Sequence, residues 1–306
     1  MDNVSVGTFW GLVRTANWCR AVHQRVGAVD LLKSKEIKIV FWQESTRTRG
    51  SFETAAGRLG ARYGTTVDAG KYTSELKGES FEDTIRSFSK MCDLMILRTK
   101  EKGSARRAAL VSHVPIISAG DGAGEHPTQA LLDAYVLNER IPNGVPGKTI
   151  AFTGDLRDSR TARSLARMLR MMKPARYIFA SPPELGMTDD IKRDVSAAGI
   201  AIIETSDLRF VQKEADAVYH QRPQNNNRTG GESAEEIASG YRSFIIDKAF
   251  LEGMKPEAIV HHPGPHTFEL TEEASLHPKC VMFPAMEMGV YMRMAVLLWV
   301  FGIECP

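Results

Sequence analysis

The sequence predicts an α/β protein of two domains, each a parallel sheet flanked by helices. Its 306 residues suit two domains of about 150 residues each. In both halves, short apolar runs alternate with runs of helical periodicity, which is typical of parallel α/β sheets. The composition changes to Pro and Gly at 141–148 (IPNGVPGK). We therefore place a domain boundary there, which gives domains 1–143 and 144–306.

The first half begins with an expected amphipathic helix that carries Trp10 and Trp18 and packs on the C-terminal helix. Residues 37–42 (IKIVFW) are apolar and partly β-branched, which favours a buried strand. Pro127 is expected to open a helix, because proline is favoured at a first helical position. The elements expected between these two are a helix with Phe52, Ala55, Ala56 and Leu59 on one face, a helix capped by Ser80 and Asp83, strand 94–97, an Arg- and Ala-rich helix and strand 114–117.

The second half continues the alternation. Its expected elements are strand 149–153, helix 160–172, strand 177–180, helix 191–198, strands 201–204 and 217–220, a polar loop 223–240, a short helix 247–254 and strand 258–262. The apolar stretch 290–303 contains Arg293 and is shorter than the about 20 residues of a membrane span. We therefore expect a buried C-terminal helix that packs back on the first domain.

The bulk composition argues against several classes of partner. The formal net charge of +2 favours neither nucleic acid nor an anionic membrane surface. The cysteines at 19, 92, 280 and 305 lie far apart without a CxxC pair, which disfavours a disulfide framework or a zinc ribbon. The N-terminal residues lack the pattern of a secretory signal. We expect a cytoplasmic protein with no membrane or nucleic-acid partner.

Residues 45–49 (STRTR) combine hydroxyl and guanidinium groups where a predicted strand gives way to a helix. A helix N-terminus presents unpaired N–H groups and a partial positive charge, so it can bind an anion. The added donors suit phosphate. On spacing alone, an equally good interpretation is that Ser45 or Thr46 merely caps the helix and that the arginines are solvated.

Further polar residues follow the next two strands. Arg98 ends a predicted strand, and it either faces the same site or forms a surface ion pair. His126 and Gln129 lie at the next strand-to-helix junction, after the glycine-rich residues 120–124. Taken alone, His126 is more readily a structural residue than a catalytic one, and Gln129 is readily a surface residue.

Together, these segments and several later ones resemble the aspartate and ornithine carbamoyltransferase family. The resemblance runs from about residue 36 to the end of the chain, and seven motifs in the family's order and approximate spacing are highly specific. The motifs are 45–49 (STRTR), 77–79 (KGE), Arg98, 126–129 (HPTQ), 154–156 (GDL) with Arg160 and Thr161, Arg222-x-Gln224, and His262-Pro263-x-Pro265.

The resemblance implies a carbamoyl phosphate site in the first domain. The implied groups are a phosphate cradle of Ser45, Thr46, Arg47 and Thr48, donors to the carbamoyl oxygen from Thr48, Arg98 and His126, and Gln129 as the residue that holds the carbamoyl NH2. Fixed donors at the carbonyl oxygen and the departing phosphate would stabilise the transition state, each worth about 3–4 kcal/mol. Neither a metal nor a cofactor is implied, because phosphate is already a good leaving group.

The family also implies a shared active site. Lys77, with Thr73 or Ser74 nearby, resembles a loop that a neighbouring subunit inserts into the site. The expected assembly is therefore a homotrimer, and the sequence does not say whether a regulatory subunit joins it.

On the acceptor side, the resemblance implies an amino-acid site in the second domain. Arg160 resembles the clamp on the α-carboxylate, and Arg222 and Gln224 resemble the group that recognises the side-chain carboxylate. Carbonyls around Gly264 and Pro265 resemble acceptors for the attacking amine. The implied reaction moves the carbamoyl group of carbamoyl phosphate to L-aspartate, a step of pyrimidine biosynthesis.

The departures from the family pattern concern the acceptor. Gln43 stands where the family has an acidic residue, Gly264 where it has Leu, and His266 where it has Arg. Asn225, Asn226 and Asn227 replace a charged Lys-Glu-Arg run, with Arg228 following. The smaller residue at 264 would widen the pocket, and loss of the run would remove charges that latch the closed state. The acceptor amine therefore stays open between aspartate and a larger or modified dicarboxylic amine.

Other interpretations are weaker. An ornithine-type acceptor would want the family's His-Cys-Leu-Pro segment, and a nicotinamide dehydrogenase would need GxGxxG, which 152–157 (FTGDLR) lacks. Prolines at 263 and 265 interrupt the helical spacing that His261, His262 and His266 would need to bind zinc. A non-catalytic relative that binds carbamoyl phosphate is the main rival of another class. It would have no need of Arg98 and His126 together.

Overall fold

The computed structural model of the chain describes residues 4–224 and 233–305. These residues form two compact units, of which the first contains 4–128 and 286–305 and the second contains 129–224 and 233–285. The chain changes units inside two helices, whereas the boundary predicted at 143/144 lies just after the first of them. That boundary remains a prediction about the two domains.

The first unit is built on strands and helices that alternate along the chain. They are α1 Val6–Val26, β1 Glu36–Phe41, α2 Thr46–Arg58, β2 Arg62–Val67, α3 Ala69–Tyr72, α4 Phe81–Ser89, β3 Leu94–Thr99, α5 Ser104–Val111 and β4 Ile116–Asp121, with a 3-10 helix at Ser74–Lys77. Helix α6 Pro127–Arg140 then leads into the second unit.

The second unit repeats the alternation. Its elements are β5 Thr149–Gly154, α7 Arg160–Leu169, β6 Arg176–Ala180, α8 Asp189–Ala197, β7 Ala201–Thr205, α9 Leu208–Glu214, β8 Ala217–Gln221, α10 Ala234–Tyr241, α11 Lys248–Glu252, β9 Ile259–His261 and α12 Glu272–Ser275, with 3-10 helices at Arg170–Met172, Pro183–Leu185 and Arg242–Phe244. Helix α13 Met282–Val300 returns to the first unit.

Each unit contains a parallel sheet with one topological switch point. Among the described residues, the strand order is β2-β1-β3-β4 in the first sheet and β7-β6-β5-β8-β9 in the second. The chain winds outward in both directions from the β1–β3 pair and from the β5–β8 pair. In open α/β sheets, ligands bind beyond the carboxyl ends of the strands at such a point. The predicted two-sheet α/β fold is confirmed, and its switch points locate the two candidate sites.

Burial explains why the central strands are apolar. Every residue of β5 and of β8 is buried, and in β3 only Arg98 is partly exposed. Strands covered by helices on both faces have continuous rather than alternating apolar sequences. Edge strand β2 (RYGTTV) is mostly exposed and lacks that signal, which is why the sequence did not predict it.

The C-terminal helix packs on the first unit as predicted. In α13, the Tyr291 hydroxyl lies 2.9 Å from His23 Nδ1 of α1, and the Arg293 guanidinium lies 5.3 Å from the Phe52 ring centroid in α2. By length and composition α13 is apolar enough to cross a membrane, with a mean hydropathy of 1.2, but 67% of its most apolar 18-residue window is buried inside the protein. Such burial is typical of the core helix of a folded domain.

Several predicted elements need correction. Helix α10 Ala234–Tyr241 begins within the segment 223–240 that was predicted as a loop and ends one residue after it, and helix α9 Leu208–Glu214 was not predicted. Strand β4 begins at Ile116 rather than at 114, because Val114 belongs to the turn in which its N–H is bonded to Ser112 Oγ at 3.1 Å. The two helices were missed because their sequences are short or polar and their structure depends on neighbouring elements.

Candidate active site

The loop from β1 into α2 places the first predicted binding segment at the carboxyl edge of the first sheet. Ser45 is the N-cap of α2, and its Oγ accepts a hydrogen bond from the Thr48 N–H at 3.3 Å. Thr48 is buried, Arg47 is partly exposed and Thr46 is exposed. The capping interpretation is therefore right for Ser45. It does not compete with anion binding, because the same first turn carries the positive end of the helix dipole.

Arg98 and His126 come together at the same edge of this sheet. Arg98 stands opposite Phe41 in the register of β1 and β3, and its carbonyl accepts from the Trp42 N–H at 2.8 Å. Its Nη1 donates to the Ala119 carbonyl at 3.1 Å and lies 3.4 Å from Nε2 of His126, which is buried. A guanidinium can only donate. The contact therefore makes Nε2 of His126 an acceptor and joins the Arg98 cation near the end of β3 to the histidine that precedes α6.

Lys77 lies on the surface of the first unit. It ends the 3-10 helix Ser74–Lys77 and is exposed, as is Leu76 with 71% of its surface accessible. Glu75 anchors this segment, since both of its carboxylate oxygens lie 3.0 Å from Nε1 of Trp42. The segment is thus attached at the end of β1 and presents Lys77 to the outside.

In the second unit, the ends of β5 and β8 are locked together. Gly154 has a φ of 94°, and a Cβ there would overlap the carbonyl oxygen of Gln221. The same carbonyl accepts from the Tyr241 hydroxyl at 3.0 Å. Asp155, buried behind Gly154, accepts from the Gln224 N–H at 2.9 Å. The glycine of the GDL motif therefore permits the backbones at the ends of β5 and β8 to approach closely. The aspartate of the motif holds the segment that follows β8.

The start of α7 carries Arg160, the predicted α-carboxylate clamp. Ser159 caps the helix by accepting from the Ala162 N–H at 3.2 Å. Gln221 Oε1 accepts from the hydroxyls of Ser159 at 2.6 Å and Thr161 at 2.8 Å, which are the residues on either side of Arg160. Two hydrogen bonds from the end of β8 thus fix the backbone from which Arg160 extends. Arg160 itself is partly exposed.

Arg222 and Gln224 follow β8, at the same carboxyl edge as Asp155. Arg222 Nη1 donates to the Pro223 carbonyl at 3.0 Å, and Gln224 Nε2 donates to the Arg222 carbonyl at 3.1 Å. Both side chains are partly exposed. The departures predicted at Asn225, Asn226 and Asn227, and Arg228 after them, lie outside the described residues.

The loop after β9 presents Gly264 and Pro265 above a buried histidine cluster. The Gly264 N–H donates to His262 Nδ1 at 2.9 Å, and His262 Nε2 lies 3.2 Å from Oε1 of the buried Glu269. His266 Nδ1 lies 3.0 Å from the Leu270 carbonyl. His266 therefore helps to hold the return of the loop, at the position where the family has Arg.

Burial sets the protonation of this cluster, which also contains His220, with its ring centroid 5.9 Å from that of His262. Desolvation lowers the pKa of His220 and of His262 from the ordinary value near 6.5. Burial alone would raise the pKa of Glu269, but hydrogen bonds from His262 and Thr267 lower it on balance. The loop thus rests on neutral histidines beside an ionised carboxylate.

Gln129 lies in the first turn of α6, three residues after His126. Its Nε2 donates to Oδ1 of the fully buried Asp133 at 2.9 Å. Gln129 itself is partly exposed. The NH2 end of its amide is therefore held by a residue four positions later on the same helix. The amide oxygen is not part of that contact.

Comparison with known proteins bears on both units. Residues 1–139 match the family described as aspartate/ornithine carbamoyltransferase, carbamoyl-P binding domain, and residues 146–300 match aspartate/ornithine carbamoyltransferase, Asp/Orn binding domain. The chain belongs to the aspartate/ornithine carbamoyltransferase family.

Similar members of this family are known from sequence and from structure. The chain is 40% identical over 268 residues to the chloroplastic aspartate carbamoyltransferase of Arabidopsis thaliana, covering 88% of this chain and 68% of that protein. It is similar to the catalytic subunit of M. jannaschii aspartate transcarbamoylase, with a TM-score of 0.90, 33% identity and coverage of 99% and 96%. It is also similar to Trypanosoma cruzi aspartate transcarbamoylase in complex with carbamoyl phosphate and aspartate, with a TM-score of 0.89, 29% identity and coverage of 99% and 94%. The family and the transferase class predicted from the motifs are confirmed.

In this carbamoyltransferase, the structure brings the predicted site residues together in two groups. The first unit gathers the start of α2 with Arg98 and His126, and the second gathers the loops that carry Arg160, Arg222 and Gln224. Among the described residues, no three His, Cys, Asp or Glu side chains are placed to hold a metal ion.

Sequence reasoning missed several residues that hold this carbamoyltransferase site in place. Gln221 and Asp133 were not singled out, and Asp155 was seen only as part of a motif. One signal was available for Asp133, because a charged residue four positions after Gln129 interrupts an otherwise apolar helix face. No comparable pattern marks Gln221, whose partners are about 60 residues away in the sequence.

Proposed function

We propose that this carbamoyltransferase transfers the carbamoyl group of carbamoyl phosphate to the amino group of L-aspartate, giving N-carbamoyl-L-aspartate and phosphate for pyrimidine biosynthesis. The observation that carries the proposal is the cationic group at the first switch point, where the Arg98 guanidinium meets His126 beside the N-terminus of α2. Such a group suits a ligand with a phosphate and a carbonyl oxygen. The relative from T. cruzi was solved with carbamoyl phosphate and aspartate bound.

On the donor side, the proposed chemistry needs positive groups rather than a nucleophile from the protein. The amino nitrogen of the acceptor bonds to the carbamoyl carbon, the bond to the phosphate oxygen breaks with its electron pair staying on phosphate, and the proton lost by the amine passes to the departing phosphate. Negative charge grows first on the carbonyl oxygen and then on phosphate. Thr48, Arg98 and His126 would stabilise the first charge, and Ser45, Thr46 and Arg47 the second.

On the acceptor side, two arginines support a substrate with two anionic groups. Arg160 would bind the α-carboxylate through its planar fork, and Arg222 with Gln224 would bind the side-chain carboxylate. The carbonyls around Gly264 and Pro265 would accept hydrogen bonds from the amine. Holding both substrates in one orientation supplies much of the rate, since it removes the entropy cost of their encounter.

Two other functions remain as outcomes of the tests. Gly264 in place of Leu leaves room for a larger or modified dicarboxylic amine, so a carbamoyltransferase of the same family with another acceptor is the first. A non-catalytic relative that only binds carbamoyl phosphate is the second. The presence of Arg98, His126 and Gln129 together favours catalysis over mere binding.

The domain roles, the assembly and the location are parts of the same proposal. Residues 1–143 would bind carbamoyl phosphate and 144–306 the amino acid, in agreement with the two family domains matched. The exposed Lys77 on an anchored segment fits donation of this side chain to a neighbouring subunit, within a homotrimer. The composition favours a cytoplasmic enzyme.

The decisive experiment measures phosphate release from carbamoyl phosphate with L-aspartate, L-alanine, L-ornithine and 2,3-diaminopropionate as acceptors. Aspartate should be preferred, and removing one carboxylate should lower kcat/KM at least about tenfold, because a charge-assisted contact is worth about 1.5–3 kcal/mol. A mono-carboxylate or cationic amine that outcompetes aspartate would overturn the acceptor assignment and keep the carbamoyltransferase. Calorimetric binding of carbamoyl phosphate without phosphate release for any amine would point to the non-catalytic relative.

A further inference from the structure

A buried carboxylate lies beneath Gln129 and receives three hydrogen bonds. Asp133 is fully buried on α6. Its Oδ1 lies 2.9 Å from Gln129 Nε2 and 2.7 Å from His261 Nε2, and its Oδ2 accepts from the Tyr219 hydroxyl at 2.5 Å. All four residues belong to the second unit. Asp133 therefore connects one partly exposed polar side chain to two fully enclosed ones on β8 and β9.

This contact determines which end of the Gln129 amide faces the carboxylate. A side-chain amide carries a donor NH2 and an acceptor oxygen of nearly equal size, so its orientation follows its hydrogen-bond partner. A carboxylate only accepts, and an amide oxygen turned toward it would be repelled. Burial raises the pKa of the Tyr219 phenol well above its usual range, and the nearby Asp133 charge raises it further. Tyr219 thus keeps its proton and donates, which leaves Asp133 as the acceptor.

We propose that Asp133 is a positioning residue that fixes Gln129 with its amide oxygen toward the ligand, so that the site selects a carbamoyl NH2 over groups that cannot donate. The inference rests on the proposed function, in which Gln129 holds the NH2 of carbamoyl phosphate. Asp133 acts only through Gln129. The chemical class selected is an acyl phosphate whose carbonyl carbon carries an N–H donor.

A purely structural role for the same residue predicts something different. Tyr219 and His261 are opposite one another in the register of β8 and β9, so Asp133 also attaches α6 to the sheet. If Asp133 only attached α6 to the sheet, its substitution would weaken the binding of all acyl phosphates by the same factor. Selection between two phosphates of the same shape therefore separates the two roles.

The test compares the Kd of carbamoyl phosphate with that of acetyl phosphate, in which CH3 replaces NH2, by calorimetry on the whole chain without acceptor. The native protein should bind carbamoyl phosphate about tenfold more tightly, as expected for one hydrogen bond. Gln129→Met should bring the ratio close to one. Asp133→Asn should lower the ratio at least about threefold, because an Asn accepts or donates and no longer dictates the amide orientation. In a Gln129→Met background, Asp133→Asn should change the ratio no further.

Tyr219→Phe is the matched control, because it removes a different donor from the same carboxylate and should leave the ratio as it is. The proposal is overturned if folded Asp133→Asn keeps the native preference for carbamoyl phosphate over acetyl phosphate. It is also overturned if Tyr219→Phe loses that preference to the same extent as Asp133→Asn. If the native protein binds neither phosphate, the proposed function fails instead. Should Asp133→Asn not fold, NMR of the native protein decides. The Gln129 side-chain NH2, assigned by its absence in Gln129→Met, should stay protected from exchange when carbamoyl phosphate binds, and loss of that protection overturns the proposal.

Discussion

Asp155 and Gln224 are joined by a hydrogen bond of 2.9 Å from the Gln224 N–H to Oδ2 of the carboxylate. The other oxygen of Asp155 accepts from the Asp158 N–H at 2.9 Å. One buried carboxylate thus holds two loops, the one that leads to Arg160 and the one that carries Arg222. The two proposed acceptor arginines depend on a residue that touches neither substrate in the proposed mechanism.

Changing this carboxylate should impair acceptor binding selectively. In Asp155→Asn, one amide end can no longer accept from a backbone N–H, which leaves a buried donor unsatisfied at a cost of about 1–3 kcal/mol. KM for aspartate should rise roughly five- to hundredfold, while the Kd of carbamoyl phosphate stays within about twofold. Steady-state kinetics and calorimetry check the two values. Asp207→Asn is the control, since Asp207 caps α9 at an exposed site in the same unit. Equal losses for both substrates would refute the selective role.

Arg47 should be needed for carbamoyl phosphate binding. A helix N-terminus alone holds a dianionic phosphate weakly, so Arg47→Ala should weaken binding by at least about tenfold with the fold intact. Calorimetry measures the affinity and thermal unfolding checks the fold. The matched control is Arg49→Ala, because Arg49 Nε lies 3.8 Å from Glu53 Oε1 on the same helix. Unchanged affinity in Arg47→Ala would rule out the phosphate-cradle assignment.

Lys77 should act on a neighbouring subunit's substrate. Lys77→Ala and Arg47→Ala should each be inactive alone. Mixed oligomers of the two should recover activity, because some sites then combine an intact Lys77 with an intact Arg47. For a trimer mixed at random, the recovered rate should equal the native rate multiplied by the fraction of sites that combine an intact Lys77 with an intact Arg47. Activity should be measured on hybrids whose composition is verified by native mass spectrometry. If verified hybrids stay inactive, each site is built within one chain.

The second unit should lose stability as the pH falls below about 6.5. Because the folded pKa of His220 and His262 is lowered, the unfolded chain takes up protons first, so their contribution is complete above the unfolded pKa and is lost as the pH falls. Each histidine can remove up to about 1.4 kcal/mol per pH unit. The lowered pKa of Glu269 adds a loss in the same direction below about 4.5.

Denaturant unfolding between about pH 8 and 5 measures this effect. His262→Asn keeps an acceptor for the Gly264 N–H without a group that titrates near neutral pH, and it should flatten the pH dependence. His113→Asn, at an exposed position, should leave the pH dependence of the stability unchanged. A wild-type stability that is constant across this range would contradict the prediction.

The predicted part of the fold corresponds to elements whose own sequences carry a signal. Strand β5 was predicted within one residue of its observed bounds because a buried strand is continuously apolar, and the start of helix α6 was predicted because a proline opens it. Edge strand β2 and helix α10 gave no such signal, since pairing and packing partners decide their structure. On the donor side, the proposed residues stand in local motifs that a reader of the chain can find.

The sequence by itself therefore determined the family, the two-sheet architecture and the identity of the proposed substrate-binding residues, because strand-to-helix junctions and short motifs are local. Only the tertiary structure decided which buried groups hold those residues in place. Asp133 meets Tyr219 and His261 across 86 and 128 positions of sequence, and Gln221 fixes the residues beside Arg160 across about 60. Such partners are chosen by the geometry of packed strands rather than by spacing along the chain, because burial forces each polar group to find whichever donor or acceptor the fold brings within reach.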